Sequence, residues 1–309
     1  MSVKIHDGKE VQTFLRTIAN LDGGGGNERV KIVVHRILSD LFKTIEEFDL
    51  APDEIWAGIN YLNKLGTDNE AALLAAGLGL EHYIDLRLDA EDKTLGIAGG
   101  TPRTIEGPLY VAGAPVIDGK ARLDKDPDPD ASPLRIHGTV RGPDGSPVAG
   151  ALVELWHANS KGFYSHFDPT GKQGEFNLRG AIKTGADGKY EALTRMPVGY
   201  GCPPSGPTQA LLNQLDRHGN RPAHVHFFVT TDKYRKLTTQ LNIEGDALIW
   251  DDFAFATRDG LIPHVLDKND GRFVGFEQNA YKDIEFNFAL TELVHGKDNQ
   301  VVERPRAAA

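Results

Sequence analysis

Apolar residues recur at helical spacing through the first hundred positions and at strand spacing beyond them. Val11, Leu15 and Ile18 mark one helical stripe, and Val30, Val33, Val34, Ile37, Leu38, Leu41 and Ile45 a second. The run Gly23–Gly26 separates the two. A third helix is predicted from Pro52 through Leu65, with proline in its first turn and Gly66 just past its end. A fourth begins near Asp68 and covers Leu73 to Leu88, with Gly77 and Gly79 weakening its middle.

After residue 100 the period becomes two. Strands are predicted at Leu134–Val140, Ala151–Trp156, Ala181–Thr184, Tyr190–Thr194, His224–Thr230, Thr238–Ile243 and Ile284–Leu290. Turn sequences such as Gly142-Pro143-Asp144-Gly145 join them. The expected class is α+β: a helical N-terminal region, 1–100, followed by an antiparallel β-sandwich, 101–309. Two stretches, 159–179 and 197–219, read as long loops, and loops of that length inside a compact domain usually carry function.

The 309 residues carry 44 acidic against 34 basic side chains, a net charge of −10 that disfavours nucleic acid or an anionic membrane as partner. No apolar run reaches the length of a membrane span, and the segment from Met1 to Asp7 lacks the apolar stretch of a signal peptide. One cysteine, Cys202, cannot form an internal disulfide. A cytoplasmic enzyme is expected.

The chemistry begins at Arg221-Pro222-Ala223-His224-Val225-His226-Phe227-Phe228-Val229. On a strand His224 and His226 project from one face, about 7 Å apart along it, while Val225, Phe227 and Val229 face a core. Two imidazoles on one strand make half of a metal site, which zinc, iron or copper could share. An acid such as Glu244 or Asp246 would complete a zinc or Fe²⁺ site, leaving positions open. Tyr164 and Tyr200, one in each long loop, would instead favour Fe³⁺, because a hard trivalent cation stabilises phenolates. A binding sandwich of transthyretin type, without metal, is a third reading.

The segments Thr104-Ile105-Glu106-Gly107-Pro108-Leu109-Tyr110, Trp156-His157-Ala158-Asn159, Gly162-Phe163-Tyr164-Ser165, Gly199-Tyr200-Gly201, Arg221 to His226 and Thr238-Thr239-Gln240 resemble, in this order, the intradiol catechol dioxygenases. The likeness runs to Asp298–Val302. It implies one non-haem Fe(3+) per subunit held by Tyr164, Tyr200, His224 and His226. Tyr200 would be the ligand that leaves when substrate chelates. Arg221 and Gln240 fall on positions that support catalysis. The implied substrates are catechol and O2, cleaved between the hydroxyl-bearing carbons to cis,cis-muconate. Hydroxyquinol and chloro- or methylcatechols are alternatives. The implied pocket comprises Leu73, Ala76, Ile105, Pro108, Leu109, Phe253 and Ala254 with Arg221. Ala76 departs from a proline frequent in the family. The resemblance also implies a homodimer through the N-terminal helices, with a phospholipid possible at that interface. His157, His166 and His218 are expected to be hydrogen-bonded structure rather than ligands.

Overall fold

The computed structural model describes residues 3–294; the Asp298–Val302 segment of the family likeness lies outside them. Contacts divide the chain into two compact units at Lys64/Leu65. Helices α1 (Lys9–Ile18) and α2 (Glu28–Glu47) and most of α3 (Pro52–Thr67) form the first unit. Asn27 caps α2 by accepting a hydrogen bond from the Val30 amide. Val30, Val33, Val34, Ile37 and Leu41 on α2 are all exposed in the single chain.

In the second unit the expected fourth helix is two, α4 (Ala71–Gly77) and α5 (Leu80–Thr94). The break is at Gly79, whose φ of 74° suits glycine far better than any side chain. The chain then enters short strands β1 (Val116–Asp118) and β2 (Lys120–Arg122), followed by the long β3 (Pro133–Arg141) and β4 (Leu152–His157). Next come β5 (Arg179–Lys183), β6 (Lys189–Arg195) and β7 (Tyr200–Gly201), with α6 (Pro207–Gln214) after them. The last elements are β8 (Asn220–Arg221), β9 (His224–Thr230), β10 (Leu237–Asn242), β11 (Leu266–Lys268), α7 (Gly271–Val274), β12 (Tyr281–Glu285) and β13 (Phe288–Ala289).

One sheet runs β1-β5-β4-β9-β10, a second β11-β12-β3-β6-β2 with β13 also on β3, and β7-β8 form a separate two-stranded ribbon. The sheets are mixed, which corrects the purely antiparallel expectation. The pairs β1–β5, β2–β6, β12–β3 and β13–β3 are parallel. Parallel neighbours need long connections, and the stretches separating these strands in sequence supply them. The central pairs β4–β5, β4–β9, β9–β10 and β3–β6 are antiparallel as expected.

Between the large sheets lies the main core. Val153, Leu155, Val225, Phe227, Val229 and Leu241 come from one sheet, and Leu134, Ile136, Val140, Tyr190, Ala192 and Ile284 from the other. Burial of a side chain like Phe227 contributes about 1.5–3 kcal/mol. The alternating run Ile284–Leu290 is not one strand, because it breaks at Phe286-Asn287. There the Phe286 carbonyl presses on Gly138, where a Cβ would lie 1.8 Å from it. The Asn287 side chain takes over the Thr139 amide at 2.9 Å.

The predicted loop 197–219 contains helix α6, invisible to charge patterning because its eight residues, PTQALLNQ, carry no charge. Among the described residues no helix is long and apolar enough to cross a membrane.

Candidate metal centre

The face of the β4–β9–β10 sheet opposite the main core is polar where it should be apolar. Strand register puts Trp156 opposite His226, and His226 opposite Gln240, in a row across three strands, while Asn242 lies opposite His224. Arg179 of β5 extends the row beyond Trp156. All six of these side chains are buried.

His224 and His226 bring their Nε2 atoms to 3.0 Å from each other. The Tyr164 hydroxyl lies 3.4 Å from His224 Nε2. Tyr200, half-buried at the end of the β7–β8 ribbon, packs its ring 5.4 Å from that of Tyr164 and 5.6 Å from that of His224. Each of the four expected ligands therefore borders one small space. The His224 Nδ1 donates to the Pro222 carbonyl at 2.7 Å, which leaves its Nε2 lone pair turned inward. The His226 ring stacks on Trp156 at 4.9 Å with 7° between planes, and its Nδ1 is buried without a partner.

Burial keeps both imidazoles neutral. His224 is pushed down to about 3 by burial and then by the Arg221 charge, and His226 falls well below its ordinary value for the same kinds of reason. Neutral imidazoles are what metal ligation requires. Burial raises the Tyr164 phenol well above its ordinary range, and the neighbouring Tyr200 adds to this. Without a strong Lewis acid it stays protonated at neutral pH. Two nitrogen lone pairs and two phenols around one buried point suit a hard trivalent cation, so the donor set fits Fe³⁺.

The acids of the rival zinc or Fe²⁺ reading are engaged elsewhere. Glu244 holds His264 and the Val265 amide, and Asp246 holds the Ala223 and Leu248 amides. Among the described residues no group of three His, Cys, Asp or Glu converges to hold a metal.

Arg221 is buried beside His224, its Nη1 3.0 Å from His224 Nε2. Its Nη2 donates to Gln240 Oε1 at 2.8 Å, and Nε and Nη2 together grip Asp252 at 3.1 and 3.0 Å. Burial acts against the charge, but Asp252 overrides it and holds Arg221 above its usual range. Gln240 passes the chain of bonds to Asn242, and Asn242 to Thr257. Asn242 shares the strand face of Gln240 two residues on, so period two could have found it. Asp252 lies in a loop, where no period points at its partner.

The expected pocket residues fall into two groups. Ala76, Ile105, Phe253 and Ala254 form one buried cluster with Leu73 against it, together with Cys202 and Leu212. Leu109 instead packs with Trp156, Tyr164 and Tyr200. Pro108 is half-buried between Gly107 and Leu109. Gly107 brings this segment to the metal-donor face, since a Cβ there would lie 3.8 Å from His226 Cε1. His157 is structural, its nitrogens bonded to the Ala158 carbonyl and the Thr194 hydroxyl, each at 2.7 Å. His218 pairs with Asp251 and His166 packs on Phe176.

The family model described as Dioxygenase matches residues 105–292, and that described as Catechol dioxygenase N terminus matches 27–96. The chain belongs to the intradiol dioxygenase family. This dioxygenase is 70% identical over 307 residues to catechol 1,2-dioxygenase 1 of Acinetobacter lwoffii, covering 99% of both chains. The mercury-inhibited catechol 1,2-dioxygenase of Acinetobacter sp. ADP1 superposes with a TM-score of 0.94 at 55% identity, covering 98% of this chain and 99% of that one. A chlorocatechol 1,2-dioxygenase of Pseudomonas sp. (strain P51) is 36% identical over 71% of this chain and 83% of its own. The dioxygenase is thus an enzyme of a family that uses non-haem iron, and the reading as a binding sandwich without catalysis is set aside.

Proposed function

We propose that the chain is a ferric catechol 1,2-dioxygenase that opens catechol between its hydroxyl-bearing carbons with O2, giving cis,cis-muconate. The observation that carries this reading is the convergence on His224 Nε2, which lies 3.0 Å from His226 Nε2 and 3.4 Å from the Tyr164 hydroxyl, with the Tyr200 ring alongside. Tyr164, Tyr200, His224 and His226 would hold Fe(3+). When bound, ferric iron withdraws electron density from a chelated catecholate and so opens its ring to O2.

The rest of the work falls to side chains. Tyr200 is less enclosed than the other three, which suits a phenolate that leaves and accepts a substrate proton at its oxygen. Arg221, fixed by Asp252 and Gln240, places a permanent cation beside His224, where it stabilises negative charge developing on the ring. Leu73, Ala76, Ile105, Pro108, Leu109, Phe253 and Ala254 exclude water around an uncharged ring. The small Ala76 leaves room for a methyl or chlorine, so substituted catechols are the secondary substrates. Ala76→Pro should change the ratio of 4-methylcatechol to catechol turnover.

The exposed α2 face fits a homodimer seam, with a phospholipid acyl chain as its further occupant. A reducing cytoplasm is the compartment that the single cysteine favours. The test is the visible spectrum of the purified protein with product analysis. A tyrosinate-to-iron colour that moves to longer wavelength with catechol, and muconate as product, are expected. A colourless iron-replete protein would refute the ferric site.

A further inference from the structure

Arg179 opens β5 and is buried, 2% exposed, with its guanidinium carbon 5.6 Å from the Tyr164 ring centre and 5.8 Å from that of Phe167. Its Nε donates to Ser165 Oγ at 2.9 Å and its Nη2 to the Ser165 carbonyl at 3.0 Å. Its Nη1 is buried without a partner, and no carboxylate pairs with it among the described residues. Buried cations ordinarily have a counter-ion. Arg221, the other arginine at the site, has one in Asp252. Arg179 has none unless Tyr164 ionises.

The stacking gives the guanidinium the negative face of the Tyr164 ring, and that attraction grows when the ring becomes a phenolate. The position is also fixed. Arg179 is in register with Trp156, Trp156 with His226, and Ser165 is the residue next to Tyr164. One arginine thus reads the position of two of the donor side chains.

We propose that Arg179 is a positioning residue whose guanidinium is the standing counter-charge of the Tyr164 phenolate, weakening that phenolate as an electron donor and so sharpening the electrophilicity of the ferric centre. The inference rests on the ferric reading above. In the loaded enzyme it would lower the energy of the phenolate electrons.

The test is the charge-transfer spectrum of Arg179→Met, Arg179→Lys and the wild type, each iron-loaded. Without the cation the phenolate electrons rise in energy, so Arg179→Met should move the band to longer wavelength. Arg179→Lys, which retains charge, should keep its band nearer the wild-type position. Ser165→Ala removes one of the bonds that aim the guanidinium and should shift the band in the same direction by less. It decides the matter should the methionine variant fail to fold. A band unmoved in the foldable variants, with only thermal stability lowered, would overturn the proposal while leaving the ferric site intact. A wild-type protein with iron but no tyrosinate band would overturn both.

Discussion

Replacing Asp252 with alanine removes the counter-ion of a cation that has no route to solvent. Arg221 is 3% exposed and the Asp252 side chain 1%. Two charge-assisted bonds, at 3.1 and 3.0 Å, join them. At about 1.5–3 kcal/mol each, their loss amounts to about 3–6 kcal/mol. Breaking a buried ion pair by removing one partner costs about 3–5 kcal/mol by independent reasoning. The two routes agree, and for a domain of this size such a loss corresponds to a Tm lowered by roughly 6–20 °C. The Asp252 bond to the Ala254 amide, at 3.0 Å, goes as well and pushes the value toward the upper end.

Thermal unfolding of Asp252→Ala, Arg221→Met and the double variant, followed by circular dichroism, gives the coupling. The double variant should be distinctly more stable than the sum of the single losses predicts, because no unpaired charge remains in it. Additive losses, or an Asp252→Ala variant within about 1 kcal/mol of wild type, would refute the view that this pair is an energetically linked unit.

Three further outcomes are expected. His157 is pushed down by burial from 6.5 to about 4, so the unfolded chain holds the extra proton between those values. Its contribution is complete above pH 6.5 and is lost as pH falls toward 4, by about 3 kcal/mol in all, at 1.36 kcal/mol per pH unit. The stability profile of His157→Gln should be flatter than wild type by that amount; parallel profiles from pH 4 to 7 would contradict it. Gly138→Ala forces a Cβ against the Phe286 carbonyl and should cost about 1–3 kcal/mol in urea unfolding, with an unchanged midpoint as the contrary result. Ile37→Glu, on the exposed α2 face, should convert a dimer to a monomer by light scattering, and a dimer of undiminished affinity would exclude that face.

Much of this arrangement was legible from period and spacing. The His-x-His alternation carried both histidines to one face and Val225, Phe227 and Val229 to the other, because a strand leaves side chains no alternative. The tyrosines were harder, since Tyr164 stands in a loop and Tyr200 in a two-residue strand that no period marks; only the family likeness picked them out. Arg179 and Asp252 were not singled out at all. Arginine at the start of a strand and aspartate in a loop carry no periodic mark, and their importance arises from burial beside the donors. The run Ile284–Leu290 misled for the opposite reason. Its alternation is real, but the close approach of Phe286 to Gly138 interrupts the pairing.

Tyr200 is anchored on a ribbon of two residues paired with two, whereas Tyr164 stands in the loop between β4 and β5. Tyr164 is clamped between Arg179 and the aromatic cluster, and the histidines belong to a central strand bonded on both sides. Tyr164, His224 and His226 are buried within their packing, and the half-buried Tyr200 is held by the shortest strand pair of the site. On the proposed ferric reading, Tyr200 would be the side chain that gives way to a substrate oxygen with least disturbance of the other three.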